Sequence, residues 1–130
     1  MSIKRYSPTA DTTITNAYKS NLSTRGTGSN MGASDVLEVF SIFAQESSGS
    51  SELSRVLIQF PVSGTTTGEI KADRTAGTIP ASGSVRFYLK MFNAKHGLTL
   101  PRDMTLNVQA VSQSWAQGTG LDMENYTDTG

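Results

Sequence analysis

The sequence predicts an all-β fold, an antiparallel β-sandwich of jelly-roll-like type, and three observations carry the prediction. Apolar residues recur at every second position in stretch after stretch, which marks strands with one face turned to a core. The polar bulk is Ser, Thr, Asn, Gln and Gly rather than charge, since only 17% of the 130 residues are Asp, Glu, Lys or Arg. Hydroxyl and amide side chains compete with helical backbone bonds, so this composition favours strands and turns. Finally, the apolar stretches are separated by glycine-punctuated polar connections at the spacing expected of a sandwich.

The first element is "TTITNAY" (12–18), short and polar, which suits the edge of a sheet. "DVLEVFSIFAQ" (35–45) is more uniformly apolar and reads as a strand covered on both faces. In "SRVLIQFPV" (54–62), Val56, Ile58 and Phe60 share one face, Arg55, Leu57 and Gln59 the other, and Pro61 closes the strand. In "SVRFYLKMF" (84–92), Val85, Phe87, Leu89 and Met91 oppose Arg86, Tyr88 and Lys90. In "MTLNVQAVSQSW" (104–115), Leu106, Val108 and Ala110 alternate with Asn107 and Gln109. The connection over 63–84 is long for a structureless loop; its "GEIKADRTAG" predicts one helical turn or a contact with something outside the domain. No internal repeat or second domain is visible, so residues 1–130 read as one sandwich domain.

The bulk properties exclude several classes. Formal net charge is zero, without the basic excess of a phosphate-contacting nucleic-acid binder. There is no cysteine, hence no disulfide and no thiolate-bound zinc. "MSIKRYSPTADTT" has no apolar run behind Lys4 and Arg5, so no signal peptide is visible, and no stretch has the length of a membrane span. The expectation is a soluble protein made in a cytoplasm.

Residues able to carry chemistry are sparse. His96 is the sole histidine and sits in a turn-like "NAKHGLT", which suits a solvated or capping role. "RGTGSNMG" lacks the spacing of a phosphate loop and precedes no helix, so Gly26, Gly28 and Gly32 read as a backbone-driven turn. Asp122, Glu124 and Asp128 cluster without the order or glycine of a calcium loop. Glu69 and Asp73 can be posed as an acid/base pair, yet nothing in the sequence tunes either. Trp115 stands where a strand leaves the sheet, either plugging the core under its own loop or stacking on a sugar ring. No catalytic residue, cofactor or metal is expected, and the chain is not read as an enzyme.

Five stretches taken together, "ADTTITNAY", "TRGTGSNMGASDVLEVF", "SRVLIQFPVS", "IPASGSVRFYLKMFNA" and "LNVQAVSQSWAQGTGLDMENY", resemble the DNRLRE-type β-sandwich module. The likeness is to members in structural proteins of tailed bacteriophages, marine ones among them, which carry nearly this "SWxxGxGLDMExY" segment. The resemblance spans most of the chain and matches Asp11 to the opening acid, Arg55 and Phe60 to the hallmark strand, and Trp115 and Gly118 to the Trp-Gly element. It implies architectural rather than catalytic roles for these residues. Such modules continue past the tryptophan loop, so the domain is expected to be incomplete at its C-terminal end. The resemblance implies a virion structural protein, a capsid decoration or cement protein or a fibre-base protein, synthesised in the host cytoplasm. Its partners would be capsid or tail subunits and further copies of itself in a homo-oligomer or symmetric array, with no nucleic acid and no membrane. The alternative is a carbohydrate-binding or adhesive module, with Trp115, Tyr88, Tyr126 and Tyr18 stacking on glycan rings.

Overall fold

The computed structural model describes residues 3–26, 29–80, 83–97 and 103–121. Their regular structure is one antiparallel sheet and one short helix: β1 (Ala10–Thr15), β2 (Ser41–Phe43), β3 (Ser51–Gln59) and α1 (Ile70–Thr75), with sheet order β1-β3-β2. The all-β expectation holds at this level. The described residues contain no second sheet stacked on the first.

β3 is the spine because its alternation is the strongest in the chain. Even-numbered Glu52, Ser54, Val56 and Ile58 turn inward, whereas Leu53, Arg55 and Gln59 lie exposed. Along its whole inner length β3 pairs with β1, from Ala10 opposite Gln59 to Thr15 opposite Ser54. β1 is an edge strand, as its polar sequence predicts, but it is covered on both faces. Neighbouring Thr12 and Thr13, which point opposite ways, are both buried. Their hydroxyls accept from other parts of the chain: Thr12 from the Met31 N–H at 3.2 Å, Thr13 from the Glu38 N–H at 3.0 Å. The Thr15 hydroxyl donates to the Leu53 carbonyl at 3.0 Å and accepts from the Ala17 N–H at 2.9 Å. The hydroxyls of Thr12, Thr13 and Thr15 therefore each fix a segment against β1 and are satisfied by doing so.

On its other side β3 pairs with β2 only over Ser51–Leu53. The hairpin turn places Ala44 at φ 61, a conformation L residues rarely adopt. Ser50 closes it, its hydroxyl accepting from the Glu46 and Ser47 N–H groups at 3.1 and 3.3 Å. Glu52 is 0% exposed, and its carboxylate accepts from the Tyr18 N–H at 2.7 Å. With the Gln45 amide turned to donate, that nitrogen reaches the two carboxylate oxygens at 2.9 and 3.2 Å. A buried carboxylate survives only with such donors around it.

Helix α1 fulfils the reading of "GEIKADRTAG" as a helical turn. It ends in a Schellman motif: Thr78 N–H bonds the Asp73 carbonyl at 2.8 Å and Gly77 N–H that of Arg74 at 3.1 Å. Gly77 sits at φ 72, where a side chain would be strained.

Three expected strands depart from the reading. In 35–45 only Ser41–Phe43 forms a strand, and it is open rather than doubly covered, with Phe43 71% exposed. Segments 84–92 and 104–115 form no ladder, and Phe87, Met91, Phe92, Leu106 and Val108 are exposed. Alternation shows that a segment can offer an apolar face; it does not supply the layer that covers that face. β3 also begins at Ser51, three residues ahead of the stretch 54–62 that the alternation marks as a strand. The apolar residues buried among those described are Ala17, Met31 and Ile79.

Candidate functional site

The two glycine-rich motifs of the sequence meet in space. Asn30 Oδ1 accepts from the Gly32 N–H at 3.1 Å and from the Gly120 N–H at 2.9 Å. Ala33 N–H donates to the Gly120 carbonyl at 2.8 Å, and the Gln117 side-chain amide donates to the Gly32 carbonyl at 2.7 Å. The approach is so close that a Cβ on Gly32 would overlap the carbonyl oxygens of Gln117 and Gly118, and one on Gly120 the carbonyl of Asn30. Gly118 lies at φ 77 with its α-carbon against the Asn30 amide, so both its conformation and its surroundings exclude a side chain. This clasp ties the segment after Trp115 to the loop that follows β1.

Trp115 is thereby held, half-buried, beside an open groove of about 480 Å³. One part of its lining is the end of β3 and the residues after it, Ile58, Gln59, Phe60 and Val62; the other is Gln109, Ala110, Val111, Gln113, Ser114 and Trp115. An aromatic and aliphatic lining interspersed with side-chain amides suits an extended peptide or a stacked ring.

Two polar constellations lie elsewhere. On α1, the Asp73 carboxylate, 3% exposed, accepts from the Tyr6 hydroxyl at 2.8 Å and pairs with Lys4 Nζ at 3.2 Å. The Tyr6 bond, aided by the Lys4 ammonium and against the cost of burial, holds the Asp73 carboxyl below its ordinary range. Desolvation, then the bond to Asp73 and its charge, push the Tyr6 hydroxyl above its ordinary range. Near the first turn, the Arg25 guanidinium stacks 3.8 Å from the Tyr18 ring centre and donates to the Asn16 carbonyl at 2.6 Å. Both arrangements are internally satisfied braces.

The residues singled out by sequence scatter accordingly. Phe60, Trp115 and Gly118 converge on the groove and clasp. Asp11 lies on β1 opposite Ile58, and Arg55 is exposed on β3 opposite Ile14. Tyr88, 82% exposed, is outside the groove lining, and Tyr18 is engaged with Arg25. Glu69 Oε2 accepts from the Thr66 N–H at 2.8 Å, while Asp73 turns to Tyr6 and Lys4, so the two carboxylates have separate partners. Tyr126, Asp122, Glu124 and Asp128 lie outside the described residues. Among the described residues no group of three His, Asp or Glu side chains could hold a metal ion, and no helix is long and apolar enough to cross a membrane.

Sequence reasoning missed Asn30, the centre of the clasp, and the Tyr6–Asp73 pair, whose partners are 67 positions apart. Glu52 carried a usable signal: it shares the parity of Val56 and Ile58, so extending their alternation backwards places it inside. No protein-family profile, no curated protein and no solved structure matches the chain.

Proposed function

We propose that this chain is a bacteriophage virion structural protein of the DNRLRE-like β-sandwich kind, most simply a capsid decoration or cement protein. It works by burying surface against neighbouring subunits and performs no catalysis. One observation supports the assembly reading above the others: apolar side chains that alternate like strand residues stand in solvent, Val108 at 76%, Phe87 at 62% and Met91 at 53%, with Phe92 next to them at 81%. Exposed apolar area on this scale marks surfaces that other protein covers. The sandwich of the sequence reading is then completed by contacts outside the described residues. The zero net charge allows copies to approach without repulsion, and in a symmetric array modest contacts sum through multivalency. The virion itself comes from the sequence resemblance.

The test is direct. Purified protein added to particles stripped of minor proteins should co-sediment with them and raise their rupture temperature. Protein that stays in the supernatant and leaves the temperature unchanged refutes the proposal.

A second reading, a glycan-binding or adhesive module, is favoured by the half-exposed Trp115 on an open groove. It predicts that millimolar sugars alter Trp115 emission. No response across a glycan panel removes it.

A further inference from the structure

Helix α1 is held in place by polar contacts. It has six residues, too few to sustain a helix alone, and its one buried side chain is the Asp73 carboxylate. Its position therefore depends on two tethers. At its start the Ile70 and Lys71 N–H groups, which have no partner inside the helix, donate to the carbonyls of Pro61 and Val62 at 2.9 and 3.1 Å. On its buried face, Asp73 Oδ2 receives both the Tyr6 hydroxyl at 2.8 Å and Lys4 Nζ at 3.2 Å.

The Asp73 tether is what fastens the N-terminal segment. Residues 3–8 make no main-chain hydrogen bond among the described residues; the first comes from the Thr9 N–H, to the Gln59 carbonyl at 2.8 Å. Between Ile3 and Thr9 only Tyr6 is half-buried, and its neighbours are exposed. The segment is a strap pinned at a single carboxylate oxygen. The other tether leads to the groove. Phe60 and Val62 belong to its lining beside Trp115, and the Val62 N–H bonds the Phe60 carbonyl at 2.8 Å. What α1 grips is therefore a tight turn in that lining. Strap, helix and groove are joined by consecutive hydrogen bonds.

We propose that residues 3–8 form a strap that, latched on Asp73 through Tyr6 and Lys4, seats α1 and so sets the Phe60–Val62 side of the groove. Drawing the strap away frees α1 and lets that side move relative to Trp115. It also bares Asp73 and releases Lys4 and Arg5 as a basic arm. Tyr6 and Asp73 are positioning residues, since neither lines the groove. The latch stays closed near neutral pH, because the Asp73 carboxyl lies below its ordinary range and the Tyr6 hydroxyl above its own.

This inference goes beyond both readings of function, and its test uses neither particles nor sugars, so it and they can fail separately. Tyr6→Phe removes only the latching hydroxyl. Trypsin cuts after Arg5, in the strap, and after Arg55, in the paired strand β3, so the two cuts separate strap release from sheet unfolding. In native buffer Tyr6→Phe should speed cutting after Arg5 about tenfold, the scale of losing one hydrogen bond to a charged group when cutting follows the open population. Cutting after Arg55 should stay at the parent rate. Acrylamide should quench Trp115, the one tryptophan, with a higher constant in the variant than in the parent. Asp73→Ala should produce both changes, and Tyr6→Phe added to it should contribute little more, because one bond joins the pair. Should Asp73→Ala fail to fold, Tyr6→Phe alone decides. Arg5 cut at the parent rate, Arg55 cut faster in step with it, or faster cutting after Arg5 with unchanged Trp115 quenching overturns the proposal.

Discussion

Removing the Asn30 side chain with Asn30→Ala tests whether the clasp is a structural lock. One oxygen accepts from two backbone N–H groups, those of Gly32 and Gly120, and both residues are buried. Without it two buried donors lose their acceptor at once, each costing about 1–3 kcal/mol. Asn30 is itself half-buried, so water can replace part of what is lost, and the expected loss is in the lower half of the sum, about 2–4 kcal/mol. For a urea slope of about 2 kcal/mol/M, that moves the unfolding midpoint down by about 1–2 M. The assay is urea unfolding followed by the emission of Trp115, the one tryptophan of the chain and close in sequence to the clasp. Asn30→Asp keeps the accepting oxygen and should retain most of the lost stability, separating the acceptor role from mere volume. A loss below about 0.5 kcal/mol for Asn30→Ala, or an equal loss for both variants, would refute the reasoning.

Other outcomes follow from the same structure. Gly32→Ala drives a methyl group into the Gln117 and Gly118 carbonyls and should cost about 2–4 kcal/mol, whereas Gly49→Ala, with open space around it, should stay within about 0.5 kcal/mol in the same urea titration. Ala44→Gly relieves the positive φ of the β2–β3 turn and should stabilise by about 0.5–1 kcal/mol, read as a higher melting temperature. The Tyr6–Asp73 bond makes stability depend on pH at both ends. The depressed Asp73 contributes above its ordinary carboxyl range and is lost as pH falls through the lowered value; the raised Tyr6 contributes below its ordinary phenol range and is lost as pH rises through the raised value. Tyr6→Phe should flatten both wings of a stability–pH profile, and an unchanged profile would dismiss the pair.

What the sequence made legible is local. The alternation of 54–60 located β3, the polar "TTIT" marked an edge strand, and "GEIKADRTAG" announced α1. The glycine loop and the Trp-Gly element each read as architectural, yet nothing in either says that they touch, because their bonds join residues 85 and 90 positions apart. Period-two patterning reports which face of a segment is apolar and is silent about its neighbour. That is why 84–92 and 104–115 looked like strands and lie without a ladder. Asn30 was illegible for a related reason: an amide in a glycine loop looks like any turn residue until the chain returning from Trp115 supplies its second donor. The groove shares this origin, since its walls come from the end of β3 and a segment some fifty positions later.

The hydroxyl-lined interior around β1 has a thermal consequence. Apolar exposure on unfolding raises the heat capacity, while polar exposure lowers it. Among the described residues the buried side chains are largely Thr12, Thr13, Thr15, Ser29 and Ser50, with Ala17, Met31 and Ile79 as the apolar part, so this region releases little apolar surface when it melts. Its stability should therefore vary weakly with temperature, tracing a shallow, broad dome that tolerates cold as readily as moderate warmth.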